Sequence, residues 1–282
     1  MKYYVVDAFT SVAFGGNPAG VVLLDGDFPS EKLMQQVAAE FRYSETAFVQ
    51  QNGEKEFTVR YFTPAGEVDL CGHATIATFG VLWKEGIIAA GSRCMNHTLA
   101  GDLLIEAGEQ VMMQMAPPRV LDVVVDVARL YPIMQGSQAE QQAPSMACEV
   151  VSTGLPDIIM PVTDRAALDA LRPDMDALAA YSKELDVVGV HAFAMSDDGY
   201  TAHVRNFAPR YGVPEESATG TANAALTHYL CRHGHVKEGQ QCRYLQGEAM
   251  SRPSVITTSV RGGGSIWVGG ESFIIASGDL LV

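Results

Sequence analysis

Glu45 lies in Ser44-Glu45-Thr46-Ala47-Phe48, a carboxylate between two hydroxyls at the head of an apolar strand pattern. Shielding from water would raise its pKa and let one carboxyl group alternate between base and acid. Its neighbours alone fit a surface acid at a strand start as well, because Glu is rarely buried unpaired. His73 follows Gly72 in Cys71-Gly72-His73-Ala74-Thr75. It is placed either to donate to a substrate carboxylate or a developing enolate-like charge, or to hydrogen-bond locally at a helix N-terminus. Cys71 beside it opens a thiol chemistry. The run His228 to His235, with Cys231 inside it and Cys242 beyond, invites a zinc reading. It lacks the paired spacing of a structural zinc site, so no metal is expected, and it reads as a helix end whose imidazoles complement the negative dipole. Gly15-Gly16-Asn17-Pro18-Ala19-Gly20 lies between strand patterns with no helix after it, which excludes a dinucleotide loop.

Arg60-Tyr61-Phe62-Thr63-Pro64 and Arg205-Asn206-Phe207-Ala208-Pro209 are both Arg-x-Phe-x-Pro, offset by 145 residues, about half the chain. Each is followed by a glycine-bearing corner that opens an Ala-rich helix, Cys71-Gly72-His73 in the first copy and Ser217-Ala218-Thr219-Gly220-Thr221 in the second. Self-similarity at that period predicts duplicated domains facing each other across a cleft. Free N–H groups and the positive dipole end at each helix start favour an anion, and two such ends make a carboxylate site. Gly72 or Gly220 taken alone fits a packing cap equally well; the repetition favours the ligand. Pro117-Pro118 punctuates the chain between the copies. The expected domains are 1–117 and 118–282, the last strand being free to cross back to the first.

The elements that must position these residues show in the hydrophobic periods. Tyr3 to Ala8 and Gly20 to Leu24 read as strands joined by a turn at Phe14-Gly15-Gly16-Asn17-Pro18. An amphipathic helix follows from Ser30, a plausible N-cap, to Phe41. Strand patterns return at Thr46 to Gln50 and Phe57 to Phe62, with Glu67 and Asp69 read as solvated acids at the next turn, before a helix from the first corner to about Trp83. Leu103 to Ile105 and Val111 to Met115 predict a hairpin. In the second half, strands are expected at Glu149 to Thr153, Ile158 to Val162, Val187 to Ala194 and Ala202 to Phe207. A helix from Thr219 to His233 stops at Gly234, and a tail of strands turns at Gly262-Gly263-Gly264.

Apolar residues make up 48% of the 282 and charged residues 18%, below the roughly 25% charged of typical soluble domains, which excludes disorder. The 19 Lys and Arg against 33 Asp and Glu leave a net charge of −14, unsuited to tracking phosphates, so no nucleic acid is expected. No apolar run approaches the roughly 18 residues of a span and no signal-peptide pattern opens the chain. The reading is therefore cytoplasmic, with no membrane partner. Five scattered cysteines without a CxxC argue for reduced thiols.

Phe14-Gly15-Gly16-Asn17-Pro18-Ala19-Gly20-Val21-Val22, Ser44-Glu45-Thr46-Ala47-Phe48, Arg60 to Pro64 with Glu67-Val68, Leu70-Cys71-Gly72-His73-Ala74-Thr75 and Glu215-Glu216-Ser217-Ala218-Thr219-Gly220-Thr221-Ala222 together resemble the signatures of the PhzF-like (phenazine biosynthesis) family. The match runs to the Gln246-Gly247 and Arg252-Pro253-Ser254 region. The resemblance implies an α+β fold of the diaminopimelate-epimerase-like kind: two pseudo-symmetric domains, each a mostly antiparallel sheet wrapped around a central helix, usually in a homodimer. It implies a cofactor-free isomerase acting on a small cyclic or amino-acid-like carboxylate, dihydro-hydroxyanthranilate in the phenazine enzyme itself. Glu45 would be the proton shuttle, with His73 and Glu216 placing the substrate. Gly72, Gly220, Thr221, Ser44 and Ser217 would bind it.

Three positions depart from the family pattern: Glu216 stands for the usual Asp, Ser217 for Pro and Thr221 for Ser. An extra methylene moves a carboxylate by about 1 Å, which leaves open whether Glu216 orients an amino or hydroxyl group or the reaction has drifted. In related epimerases a cysteine at the Cys71 corner faces a second thiol, whose counterpart would fall at Ser217. A serine is too weak an acid to replace a thiolate, which disfavours racemisation and leaves Cys71 as a packing residue. A protein that binds small carboxylates without turnover is the other reading.

Overall fold

The β-branched and aromatic run after Met1 forms β1 (Lys2–Ala8), which pairs antiparallel with β2 (Asn17–Leu23) on one side and with Ser272–Asp279, the last strand of the chain, on the other. The expected turn is shorter than the Gly/Asn/Pro run suggested, because Asn17 and Pro18 already pair with Ala8 and Asp7. The bend falls on Phe14 and Gly16, both at positive φ, where the Phe14 N–H donates to Asp7 Oδ2 at 2.8 Å. Helix α1 (Glu31–Phe41), capped by Ser30, carries the chain over to β3 (Thr46–Gln51), which lies parallel to β2. Antiparallel β4 (Glu56–Phe62) and β5 (Glu67–Val68) lead into α2 (Gly72–Lys84), after which β6 (Ser92–Thr98) runs parallel to β4 and a hairpin of β7 (Gly101–Ala107) and β8 (Val111–Gln114) follows. Every α2 residue from His73 to Leu82 is buried, because strands β1, β2, β3, β7, β8 and the last strand all pack on it.

The computed structural model describes residues 1–134 and 146–282. Met1–Gln114 together with Gly269–Val282 make one unit and Met115–Val268 the other. The change of unit thus comes just ahead of Pro117-Pro118. The second unit contains β9 (Arg119–Leu121), α3 (Val127–Ile133), β10 (Glu149–Ser152), β11 (Pro156–Pro161), α4 (Arg165–Ala170), α5 (Met175–Glu184), β12 (Val190–Met195), β13 (Ala202–Ala208), β14 (Val213–Glu216), α6 (Gly220–Arg232), β15 (Gln241–Gln246) and β16 (Ser254–Arg261). Strand β17 (Ser265–Gly270) carries the chain back to the first unit, where Ser272–Asp279 is β18.

The duplication shows in the strand directions. Strand β11 is parallel to β12 as β2 is to β3, and β13 is parallel to β15 as β4 is to β6, while β3–β4 and β12–β13 are antiparallel. The central helices have equal lengths, 13 residues each. Each unit is therefore a mostly antiparallel sheet around one buried helix. Helices α3, α4 and α5 were not anticipated from apolar period, being only 7, 6 and 10 residues long. Their caps were legible, since Asp126, Asp164 and Asp174 each accept from a backbone N–H of the first turn.

The Arg-x-Phe-x-Pro motif has a structural meaning in both copies. Arg60 donates through Nε and Nη2 to the two oxygens of Glu67 at 2.6 Å each, and Arg205 does the same to Glu215 at 2.8 Å. Each guanidinium also lies over the motif phenylalanine, 5.3 Å from the Phe62 ring and 4.8 Å from the Phe207 ring. Glu67 is therefore no solvated turn acid but the partner that closes β5 onto β4. Arg205 additionally donates to the Leu168 and Leu171 carbonyls.

Removing one member of such a shielded fork strands the other charge. Arg205→Met is expected to lower unfolding free energy in urea by about 2 to 4 kcal/mol, and Arg205→Met with Glu215→Leu should recover most of that loss. Arg60, more exposed than Arg205, should cost less when replaced in the same way.

Candidate active site

Ser44 and Glu45 precede the first residue of β3, and the Glu45 carbonyl accepts from Gly20 N at 3.1 Å on the parallel strand β2. A side chain at Gly20 would run into Thr46 Oγ1 at 2.8 Å and the Phe41 ring at 2.9 Å, so this approach of β2 to β3 requires glycine. Across the unit, Cys71 is the N-cap of α2 but makes no side-chain cap bond. Its carbonyl accepts instead from Thr75 Oγ1 at 2.7 Å. A buried chain from Asn96 Nδ2 to Tyr61 OH, and from Tyr61 OH to Thr75 Oγ1, anchors the corner. His73 is thus held with Nδ1 at 3.4 Å from Cys71 Sγ and Nε2 at 3.2 Å from both Ser44 Oγ and Glu45 Oε2. His73 Nε2 thus faces both oxygens, and the Glu45 Oε2 that it faces is buried.

The expectation of a raised Glu45 pKa is overturned. Burial does push it up, but His73, by hydrogen bonding and by charge, with help from Ser44 and Cys71, brings the net effect below the usual carboxylate range. His73 moves the other way. Burial opposes its imidazolium, yet Cys71 and Glu45 outweigh that and raise it well above its ordinary value. Burial, then the Glu45 charge, pushes the Cys71 thiol up to about 11, so the charge that holds the imidazolium at neutral pH is that of Glu45. Both shifts favour the charged forms, carboxylate on Glu45 and imidazolium on His73. Cys71 is more than packing, because its sulfur lies against the imidazole.

The second unit repeats part of this arrangement. Helix α6 begins at Gly220 with Thr219 as N-cap, again without a side-chain cap bond. Thr219 is thus the N-cap of α6 as Cys71 is of α2, and with Ser217 close by the second corner offers hydroxyls and no thiol. Thr219 Oγ1 donates to Glu216 Oε2 in a short contact. Gln246 Nε2 donates to the Glu216 carbonyl at 2.8 Å and to Thr219 Oγ1 at 3.1 Å, while Gln246 Oε1 accepts from Thr219 N and from Asn223 Nδ2. Ser217 is buried, and the Thr221 carbonyl accepts from Thr153 Oγ1 at 2.9 Å. The position of Glu45 is vacated: Gly189 N-terminal to β12 accepts from Ile158 N as Glu45 accepts from Gly20 N.

Among the predicted residues, then, Ser44, Glu45, Cys71, Gly72 and His73 come together at one corner, and Glu216, Ser217, Gly220 and Thr221 at the other. Sequence reasoning missed Asn223, Gln246, His191 and Asp157 behind the second corner. Polar residues set inside the apolar runs of β11, β12 and α6 were the signal that could have found three of them. The zinc reading of the His228 to His235 run gathers no ligand group among the described residues, where His233 and Arg232 both pair with Glu149. Among the described residues, the group of three such side chains whose ligand atoms lie within 4.8 Å of one another is Glu45, Cys71 and His73.

The sequence model of the family described as "Phenazine biosynthesis-like protein" matches residues 6–278. The trans-2,3-dihydro-3-hydroxyanthranilate isomerase of Pseudomonas chlororaphis is 30% identical over 270 residues, covering 92% of this chain and 90% of the relative. The crystal structure of the Bacillus anthracis phenazine biosynthesis protein of the PhzF family superposes with a TM-score of 0.88 at 25% identity, over 100% of this chain and 99% of that one. A probable proline racemase from Agrobacterium radiobacter K84 shares the fold, with a TM-score of 0.66 at 13% identity over 100% and 93% of the two chains.

The charge pair makes a measurable claim. In Glu45→Gln the His73 imidazole loses its anion, and its pKa, followed by NMR of the ring protons, is expected to fall toward or below the ordinary value. A His73 titration unchanged by Glu45→Gln would remove the ion pair. The stability consequence has a definite sign. The raised His73 stabilises the fold below its unfolded pKa and loses that contribution as pH rises through the folded one, whereas the lowered Glu45 contributes above its unfolded pKa and loses it as pH falls.

Proposed function

The chain belongs to the phenazine biosynthesis-like family, whose curated members among its relatives are named isomerases, and on that footing we propose that it moves a proton between two carbons of a small cyclic or amino-acid-like carboxylate without a cofactor. The observation that carries this reading is the Glu45–His73 pair at the start of α2. A carboxylate already ionised at neutral pH is a base from the outset, and the N–H groups of an uncapped helix start beside it favour a substrate carboxylate. That substrate anion competes with Glu45 for His73. Once the imidazolium turns to it, Glu45 is left buried without its counter-charge and becomes a stronger base. A C–H bond then breaks as an O–H bond forms on Glu45, His73 and the helix N–H groups hold the enolate-like charge, and the same Glu45 carboxyl group returns its proton to a second carbon.

In this reading Gly72, Gly220 and Thr221 offer backbone or hydroxyl donors, Ser44 and Ser217 flank them, and Glu216 orients an amino or hydroxyl group of the substrate. The thiol alternative loses support from the Cys71 environment, because a thiol pushed up to about 11 is almost entirely protonated at neutral pH.

Solvent deuterium decides between turnover and mere binding. With trans-2,3-dihydro-3-hydroxyanthranilate and a panel of related carboxylates in D2O, the parent protein is expected to incorporate deuterium at carbon. Glu45→Gln should lose roughly 10² to 10⁴-fold of that rate at similar ligand affinity, whereas Cys71→Ala keeps most of it. An active Glu45→Gln with a dead Cys71→Ala would put the thiol in charge. Tight binding with no exchange in the parent would make this a binding protein.

A further inference from the structure

Strand β11 brings a carboxyl group, Asp157, behind the second corner, with 2% of its surface exposed. Its Oδ1 is buried and accepts no hydrogen bond, and so is Oδ1 of Asn206 on β13. Asn206 cannot turn to satisfy it. Its Nδ2 donates to Nδ1 of the buried His191 at 3.3 Å, and His191 Nε2 in turn donates to Asn223 Oδ1 at 3.3 Å. Burial drives His191 down to about 3, so it is neutral, with the proton on Nε2, and the polarity of the whole chain of amides is fixed. Asn223 passes on to Gln246, Gln246 to Thr219, and Thr219 to Glu216, which pairs with Asn206 across β13 and β14. The ring of polar groups thus closes on two carboxyl groups, one at each end.

We propose that Asp157 holds a proton beside ionised Glu216, so that the second corner is a two-carboxyl, one-proton pair in which Asp157 is a positioning residue for Glu216. Two buried acceptors without donors lose free energy, and one proton on Asp157 converts one of them into a donor. Two neighbouring carboxyl groups cannot both ionise cheaply out of water. The proton falls on Asp157 because Glu216 receives the Thr219 hydroxyl while Asp157 is the more deeply enclosed. Burial first, and the Glu216 charge second, push Asp157 up to about 7, against a weaker opposing pull from Asn206. Among the described residues Glu216 is the charged group that reaches it, His191 being neutral.

The duplication gives this pair its place. Where the first unit carries Glu45, the second carries Gly189, and Asp157 on the adjacent strand precedes Ile158, the counterpart of Gly20. The acid has moved one strand over and turned from carboxylate to carboxylic acid. This deepens the isomerase reading, which gives Glu216 a substrate to orient, but its test needs no turnover, so the two can fail separately.

Infrared difference spectra of the whole protein, titrated from about pH 5 to about pH 9 across the range in which a raised carboxyl group ionises, should show a protonated-carboxyl C=O stretch that disappears as pH rises. Asp157→Asn should lack that band, and Glu216→Gln should keep it with its midpoint moved to lower pH. A wild-type band unaffected by Asp157→Asn, or a midpoint unmoved in Glu216→Gln, overturns the pair. Should Asp157→Asn fail to fold, the Glu216→Gln shift alone decides. Thermal melts supply an independent reading. An acid whose folded pKa is raised loses stability as pH climbs from its unfolded to its folded value, so wild-type Tm should drop relative to Asp157→Asn over that interval and run parallel above it. Parallel curves throughout would also overturn the proposal.

Discussion

An arginine forked onto a glutamate and laid over a phenylalanine is the contact on which each half of this protein depends. In both copies it ties the short returning strand to the long one before it, Glu67 to Arg60 and Glu215 to Arg205, and the chain has only a few residues left before the central helix starts. The direction in which that strand leaves therefore sets where Cys71 and Thr219 sit and how the first N–H groups of α2 and α6 are aimed. A bidentate fork fixes two angles as well as a distance, which a lysine in the same place would not do. Chemistry at the helix start inherits its geometry from an ion pair that never touches a reacting atom.

Duplication has not produced two equal sites. The first unit joins a carboxyl group, an imidazole and a thiol within one small cluster, where Cys71 and Glu45 raise His73, and His73, Ser44 and Cys71 lower Glu45. The second, built on the same strand order, places glycine at the corresponding position and surrounds its corner with amides, hydroxyls and a neutral histidine. One half is arranged around charges of opposite sign and the other around hydrogen bonds of fixed polarity. Such a division suits a reaction in which one partner transfers a proton and the other has only to hold still.

Much of this was legible in the sequence because it depends on spacing. The Arg-x-Phe-x-Pro repeat, the glycines opening α2 and α6 and the Ser30 cap all follow from residues a few positions apart, whereas Glu45 and His73 stood out through the family resemblance and not through spacing. What the sequence hid depends on what the chain brings together from afar. Glu67 reads as a turn acid until β5 is seen folding onto β4. Glu45 reads as a carboxyl group with a raised pKa until His73, 28 positions on, is found 3.2 Å away. Helices α3 and α4 escaped because hydrophobic period needs more turns than they have.

The position of β1 bears on the order in which the protein is made. It pairs with β2, which follows it directly, and with β18, which comes more than 260 residues later. During synthesis the first unit must therefore wait with one flank of β1 open while the whole of the second unit emerges and folds behind it. The unit begun first is completed last, and a bare strand edge is a template for pairing with another chain. The register of β1 with β18 skips Ile275 between the partners of Val5 and Val6, so the irregularity belongs to the late strand and forms only when the native partner docks.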